Sequence, residues 1–403
     1  MRNKVQNITL GILFLFLSCY FMRLMGFPDK ITLVAGGILC LCMLIEQKSV
    51  KIDIGLCLLI LTMLSHFLIL DGKRALVKVA VYVPIVLYLL GNYGACLAKS
   101  KKDNKENLFL LLLFAMVLGY TIHGALNSYL YFAGYRAESG ARKWMDIWRR
   151  SFIPGTQHGM FYLPSFAMLF PAIIFFKKRK IMNICMIIAT LFFGYTALVT
   201  RSRMSILILA LVICGQLLLL VLLEKNELKK LANKKVMILG IILFIGMIIA
   251  AIALMNTSVV KIFIENMGKD GGILNNVRFT AQRNVLKALP SHLMGGMDKS
   301  VIGYNYAHNV WLDMAKLTGI IPFAVFVLYT LFTVYEIMRF IIKKDISTDT
   351  KMIVAGMYVV FFLYYSVEPA MEANINYMTP WFFLNGMVHG YISKEKEPYE
   401  KQC

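Results

Sequence analysis

The densest chemical signal in the chain is His308-Asn309, nine residues from Val310 to Thr318, and then Gly319. Imidazole titrates near neutral pH and can take a proton from an attacking hydroxyl. Arginines form a second constellation: Arg201 and Arg203 in the turn Thr200-Arg201-Ser202-Arg203, Arg278 and Arg283 upstream of the histidine, and a cluster of Arg142, Lys143, Arg149 and Arg150. Guanidinium groups always carry charge and bind phosphates through two parallel hydrogen bonds. Asp313, Glu368 and Glu372 could contact sugar hydroxyls or pair with arginine, and pairing is the plainer reading. Trp144, Trp148 and Trp311 could stack on sugar rings, although interfacial aromatic belts are commoner. Taken singly, a basic residue here is more simply read as snorkelling to lipid head groups. His66, His123, His158, His292 and His389 read as structural histidines bonded to their neighbours.

A very apolar chain must position these groups. Of 403 residues, 59% are hydrophobic and 16% charged, against about 25% charged in a soluble domain. Apolar runs of about 20 residues recur throughout. The expected fold is therefore an all-α, polytopic integral membrane protein; a barrel would show alternating segments of about 10 residues. Twelve spans are predicted, at about 8–26, 31–46, 54–70, 75–98, 107–132, 158–176, 181–200, 204–223, 236–256, 320–342, 352–367 and 374–392. More than half of the 43 basic residues fall in short loops on one side of these spans, which orients the chain with both termini cytoplasmic. That placement accounts for the net charge of +21 without a nucleic-acid partner. The first apolar run is expected to stay in place, since no small-x-small cleavage site follows it. The eight cysteines lie mostly inside spans and read as small apolar residues rather than a disulfide framework.

The whole chain, 1–403, reads as one membrane domain with two large outer loops, 133–157 and 257–319. In the second loop, Asn275-Asn276 can cap a helix from Val277 to Leu289, which Pro290 ends. Gly295-Gly296 breaks the chain, and a second helix is predicted from near His308, with Leu312 and Ala315 or Lys316 on the histidine's face. No internal repeat is visible. Charges inside spans are scarce, Lys78 being the main exception, which counts against a transporter or flippase.

In this order, the motifs resemble the O-antigen ligase and polysaccharide polymerase superfamily of bacterial envelope proteins. That family carries a loop-to-helix motif of His, then Asn, Ser or Gln, nine residues, Gly, two residues, and Gly, Thr or Tyr. Here His308-Asn309 and Gly319 match, and Pro322 departs. Asn276-Val277-Arg278 with Pro290 and Gly295-Gly296 is similar to the family's Gly-Arg, Pro, Gly-x-Gly stretch, with Val277 in place of Gly. Thr200-Arg201-Ser202-Arg203 resembles its Ser-Arg signature, and Gly155-Thr156-Gln157-His158 resembles the segment entering its middle span. The likeness covers roughly residues 135–392.

The resemblance implies a glycosyltransferase-C-like membrane fold and a metal-independent, inverting glycosyl transfer without cofactor, at the outer face of a bacterial cytoplasmic membrane. The donor would be a lipid-linked oligosaccharide on undecaprenyl pyrophosphate, the acceptor a glycan hydroxyl. Arg203 and Arg278 would hold the pyrophosphate and His308 would activate or orient the acceptor, with Asn309, Arg201, Arg283 and Glu368 also in contact with substrate. Implied partners are membrane lipids, a chain-length regulator and a flippase. Charge growing on a leaving pyrophosphate needs a metal or arginines, and no outer segment contains Asp-x-Asp or Asp-Asp. Polymerase and ligase activities both fit these motifs, and a polysaccharide transporter is the reading from a different class.

Overall fold

The computed structural model describes residues 2–24, 30–47, 52–70, 82–101, 104–135, 143–199, 203–223 and 277–393. These are mostly helical. In chain order the principal helices are α1 (Arg2–Phe21), α2 (Lys30–Gln47), α3 (Ile54–Ile69), α4 (Val83–Ser100), α5 (Lys105–Phe132), α6 (Leu163–Ile174), α7 (Lys180–Val199), α8 (Arg203–Leu223), α9 (Val277–Ala288), α10 (Val310–Thr318), α11 (Ile320–Ile342), α12 (Thr348–Tyr365) and α13 (Thr379–Ile392). One small antiparallel pair, β1 (Lys143–Met145) with β2 (Phe152–Pro154), departs from the all-α expectation. The hairpin places Trp144 opposite Ile153, and its turn is held by Asp146, whose Oδ1 accepts from the Trp148 and Arg149 N–H groups at 3.0 and 2.9 Å.

Among the described residues, four helices are long and apolar enough to cross a membrane: Lys105–Phe132, Lys180–Ala197, Met204–Leu223 and Ile320–Ile342. Gln6–Phe21, Val34–Met43 and Ile54–Ile69 are shorter apolar helices. The runs expected at 158–176 and 374–392 are each interrupted. A single turn, Gly155–Gly159 or Ala370–Asn374, precedes α6 or α13, which have only 12 and 14 residues. Pro164 and Pro380 sit in the first turns of those helices, where the missing N–H costs nothing. At 1.5 Å per residue neither helix alone spans a hydrocarbon core of about 30 Å. The run predicted at 236–256, the beginning of 75–98, and Lys78 lie outside the described residues.

Helix α3 runs against α11. At one end His66 Nδ1 lies 3.0 Å from Thr318 Oγ1; at the other, Asp53 and Glu336 both reach His389. That second end also gathers the basic loops. Lys105 pairs with Asp345 at 3.2 Å, and Lys178 and Arg179 converge on Asp349 at 2.9 and 2.6 Å. Lys99 donates to the Ser393 carbonyl. The opposite end carries Arg278 and His308. In the centre Trp381 is fully buried among the rings of Phe326, Tyr329, Phe362 and Tyr365.

The tightest contact in the bundle is between α4 and α13. A methyl group added at Gly386 would overlap the Tyr88 carbonyl oxygen, one at Gly390 the Asn92 carbonyl, and one at Gly91 the Phe383 carbonyl. The two backbones therefore touch without intervening side chains, the geometry that Gly386-Met387-Val388-His389-Gly390 permits through its small-xxx-small spacing. Replacing Gly386 with Ala should force α4 and α13 apart and lower stability by about 1–3 kcal/mol. Gly37→Ala, with nothing within 4 Å of the added methyl, should instead be neutral or stabilising by about 0.5–1 kcal/mol. Thermal unfolding of the two variants in the same detergent, giving opposite signs, is the check.

Candidate functional site around His308

Helix α9 is described from Val277 to Ala288 and is followed by a tight turn Leu289–Ser291 containing Pro290, so its end lies within one residue of that predicted; Asn275-Asn276, expected to cap it, lie outside the described residues. Ala281, Val285 and Leu289 form its buried stripe, while Val277 and Arg283 are exposed. Arg278 and Gln282, one turn apart, look toward the segment that carries His308. Gln282 Nε2 donates at 3.1 Å to the carbonyl of His308 and at 3.1 Å to that of Ser366. Arg278 Nη1 lies 2.9 Å from Glu368 Oε1, an ion pair whose approach is not aligned as a hydrogen bond. Glu368 therefore takes the plainer of its two expected roles.

His308 is not on the helix, contrary to expectation. Its φ is 54°, the left-handed region, which costs a residue with a Cβ roughly 1–2 kcal/mol. The Gln282 bond to its carbonyl helps hold that backbone in place. Helix α10 starts after Asn309, which is its N-cap: Oδ1 accepts from Trp311 and Leu312 N–H, both at 3.1 Å, and Nδ2 donates to the Ser366 carbonyl at 3.3 Å. Asn309 thus holds the helix start beside the histidine, a structural task that the His-Asn pairing alone did not reveal.

The spacing to Gly319 has an equally local cause. Gly319 has φ 85° and ends α10; a methyl there would overlap the Leu293 carbonyl oxygen and crowd Gly295 N. Gly295, φ 79°, packs against Thr318 and Gly319 in turn. Backbone bonds lace the two strands of chain together: Met297 N–H to the Lys316 carbonyl at 3.1 Å and Ile320 N–H to the Leu293 carbonyl at 2.9 Å. The two glycine motifs are therefore one contact. Pro322 falls in the first turn of α11, a place that tolerates proline.

The imidazole of His308 is half-buried, and its Nδ1 is enclosed with no hydrogen-bond partner among the described residues. Burial first, and the Arg278 charge second, hold its pKa down to about 4. It is neutral at pH 7, with a nitrogen free to accept. Beneath it lies a buried group of charges. Lys316 Nζ donates to Glu372 Oε1 at 2.5 Å and to the Asn305 carbonyl at 2.6 Å. Asp313, expected to reach substrate or arginine, is instead fully buried beside that pair. Burial, then the neighbouring Glu372 charge, raise its pKa well above the carboxylate range, against the pull of Lys316.

The remaining candidates are dispersed. Arg203 is the first residue of α8, with its side chain outside the described set; Arg201 also lies outside the described residues. Trp311 is stacked on Phe362 and donates to Thr330, and Trp148 donates to the Met22 carbonyl. Trp144 is buried, sandwiched between Tyr131 and His158, so it belongs to the core rather than an aromatic belt. Sequence reasoning missed Gln282, which its place one turn after Arg278 could have suggested. It also missed a second polar cluster. There Arg23 is buried against the Tyr377 and Phe161 rings at 4.3 and 5.1 Å, and His123 Nε2 meets Asp146 Oδ2 at 3.0 Å. Burial works against ionisation of Asp146, but the His123 contact and the Arg149 N–H outweigh it and bring its pKa to about 2.

Two expectations follow. Asn309→Ala should cost about 1 kcal/mol by loss of the cap, and Asn309→Asp or Asn309→Ser should restore it; an Asp or Ser variant as unstable as Ala in thermal unfolding would contradict the capping role. Because the fold favours neutral imidazole at His308, stability should fall as pH drops below the ordinary value of 6.5 and level off near 4. Histidine NMR of the protein in detergent should show His308 titrating near 4, moving upward in Arg278→Gln. Comparison of the chain with protein-family models and with curated proteins finds no match, so this site is read from its geometry.

Proposed function

We propose that the chain is a membrane glycosyltransferase of the glycosyltransferase-C type, with twelve spans, that joins undecaprenyl-pyrophosphate-linked oligosaccharide repeat units into a surface polysaccharide. The observation that carries the proposal is the nearness of the Arg278 charge, held by Glu368, to the half-buried, neutral His308 imidazole at the end of the bundle away from the basic loops.

In this reading the acceptor hydroxyl attacks the anomeric carbon as the bond to the pyrophosphate oxygen breaks. The electron pair leaves on the pyrophosphate, whose growing charge Arg278 and Arg203 stabilise. The hydroxyl hydrogen-bonds to His308 Nε2, the ring nitrogen that is not enclosed, and passes its proton there. An imidazole near pKa 4 is a weak base in the empty site, but a bound pyrophosphate brings negative charge that opposes the effect of Arg278 and raises its affinity for a proton. Glu368 and Gln282 hold the arginine and the histidine backbone, and Asn309 holds the helix behind them. Arg201 and Arg283 are assigned to the same anionic donor by charge alone. The expected setting is the outer face of a bacterial cytoplasmic membrane.

An O-antigen ligase, passing the lipid-linked glycan to lipid A core or another acceptor, would use the same groups. The transporter reading gains one observation, the ionisable groups around His389. They are closed onto one another, however, and the cavity beside them has a volume of only about 10 Å³.

The test is reconstitution with an undecaprenyl-pyrophosphate oligosaccharide and separation of products by length. Wild type should give a ladder that persists with chelator, and His308→Ala and Arg278→Ala should lose it by at least a hundredfold, in line with removal of one stabilising group. An unchanged ladder in both variants would overturn the assignment. A product formed only when lipid A core is added would identify a ligase.

A further inference from the structure

The outer face of α9 takes no part in the proposed transfer. At about 100° per residue, Ala281, Val285 and Leu289 point into the protein, and Arg278 and Gln282 edge that stripe on the side of His308. Next around the helix come Phe279 and Leu286, both exposed and about two turns apart. Arg283 and Lys287 follow, exposed as well. The last side meets protein again, where Asn284 Nδ2 donates at 2.9 Å to the Ile302 carbonyl, in the short turn Lys299–Ile302 that Asp298 caps. An apolar strip is thus bordered by cations on both sides, and Val277–Ala288 contains no acid to offset them.

The strip continues past the helix, where Pro290, Leu293 and Met294 are exposed. Leu293 is fixed in height. Its carbonyl accepts from the N–H of Ile320 at 2.9 Å, and Gly319 keeps side chains out of that contact. Ile320 is the first residue of α11, one of the four helices long and apolar enough to cross a membrane. Ile320 and Ile321 are exposed themselves, as are Leu328 and Leu331 further along the same helix. The strip on α9 therefore runs into the apolar surface of α11 at the level where that helix would enter the bilayer. A helix with an apolar strip and a cationic border is the form that lies in a phospholipid surface, apolar side chains down and cations at the head groups. A second copy of the chain fits less well, because a two-fold contact through this strip would bring Arg283 and Lys287 against their own counterparts.

We propose that α9 is seated in the outer phospholipid surface, with Phe279, Leu286, Leu293 and Met294 among the acyl chains and Arg283 and Lys287 at the phosphates. Arg278, at the other border of the strip, is then held at head-group level. This deepens the transfer reading and rests on it in one respect: the phosphates of a lipid-linked donor lie at that level, so the donor reaches Arg278 by moving sideways in its leaflet, without being lifted from it.

The first test needs no substrate. The full chain is reconstituted in vesicles of phosphatidylglycerol and phosphatidylethanolamine, with and without bromine near the top of the acyl chains. The emission that Leu286→Trp or Met294→Trp adds to that of the four native tryptophans should fall by at least half in brominated vesicles. It should respond little to iodide supplied on both sides of the membrane. Ser300→Trp, exposed in the turn packed on the opposite side of α9, should do the reverse. Stronger quenching by iodide than by bromine at 286 and 294 would place the strip in water, quenching by neither would place it against protein, and either result would overturn the proposal. A second measurement is the product ladder of Leu286→Glu combined with Met294→Glu, two side chains remote from the transfer chemistry. The KM for the lipid-linked donor should rise about tenfold with kcat within about twofold of wild type, and an unchanged KM would overturn the donor's sideways approach. Bromine quenching without any ladder from wild type would leave the membrane contact standing and sink the transfer; a ladder without bromine quenching would do the opposite.

Discussion

The direct meeting of two backbones, α4 against α13, is the constraint on which both ends of the molecule depend. Hydrocarbon offers little drive for helices to associate, so close van der Waals approach must supply it. Gly91, Gly386 and Gly390 allow that approach. Trp381, on the same helix as the two later glycines, then meets aromatic rings from α11 and α12, which fixes those helices around α13. The start of α11 carries the glycine contact that seats the His308 segment, and its end carries Glu336. A displacement of α13 would therefore be felt at both ends.

Electrostatically the two ends are built differently. Around His308, buried acids and cations are partly matched. Lys316 pairs with Glu372, while burial raises the pKa of Asp313 beside them, and burial, then the Arg278 charge, lower that of the histidine. Groups held away from their usual protonation states in this way are what a reacting site requires. Around the basic loops, each carboxylate meets two cations: Lys105 and Lys343 at Asp345, and Lys178 and Arg179 at Asp349. Those contacts tie loops together and leave an excess of positive charge.

Local features were legible in the sequence and long-range ones were not. Pro290 and the spacing of Val285 and Leu289 located α9 because proline and helical period act within a few residues. The helix expected from near His308 starts two residues later, at Val310. What the spacing did not disclose was why Gly319 is glycine: the answer lies in Leu293 and Gly295, brought back by the intervening turn. His389 read as an ordinary structural histidine because its partners, Asp53 and Glu336, are remote in sequence. Trp144 read as interfacial because nothing near it in the chain announces Tyr131 or His158 as neighbours. The hairpin was overlooked because its strands have three residues each, too few to show alternation.

The glycine contacts also imply an order of assembly. The lacing of residues 293–297 to 316–320 joins parts of the chain close in sequence, so it can close soon after synthesis of α11 begins. The contact of α4 with α13 is of another kind. Cys96 and the Gly390 carbonyl that it meets are 294 residues apart, and nothing can complete that interface until α13 emerges. Until then α4 must wait in the bilayer with a glycine-lined groove uncovered and Asp53 without its histidine. Closing so long a loop is slow, which makes the docking of α13 onto α4 a late step in assembly.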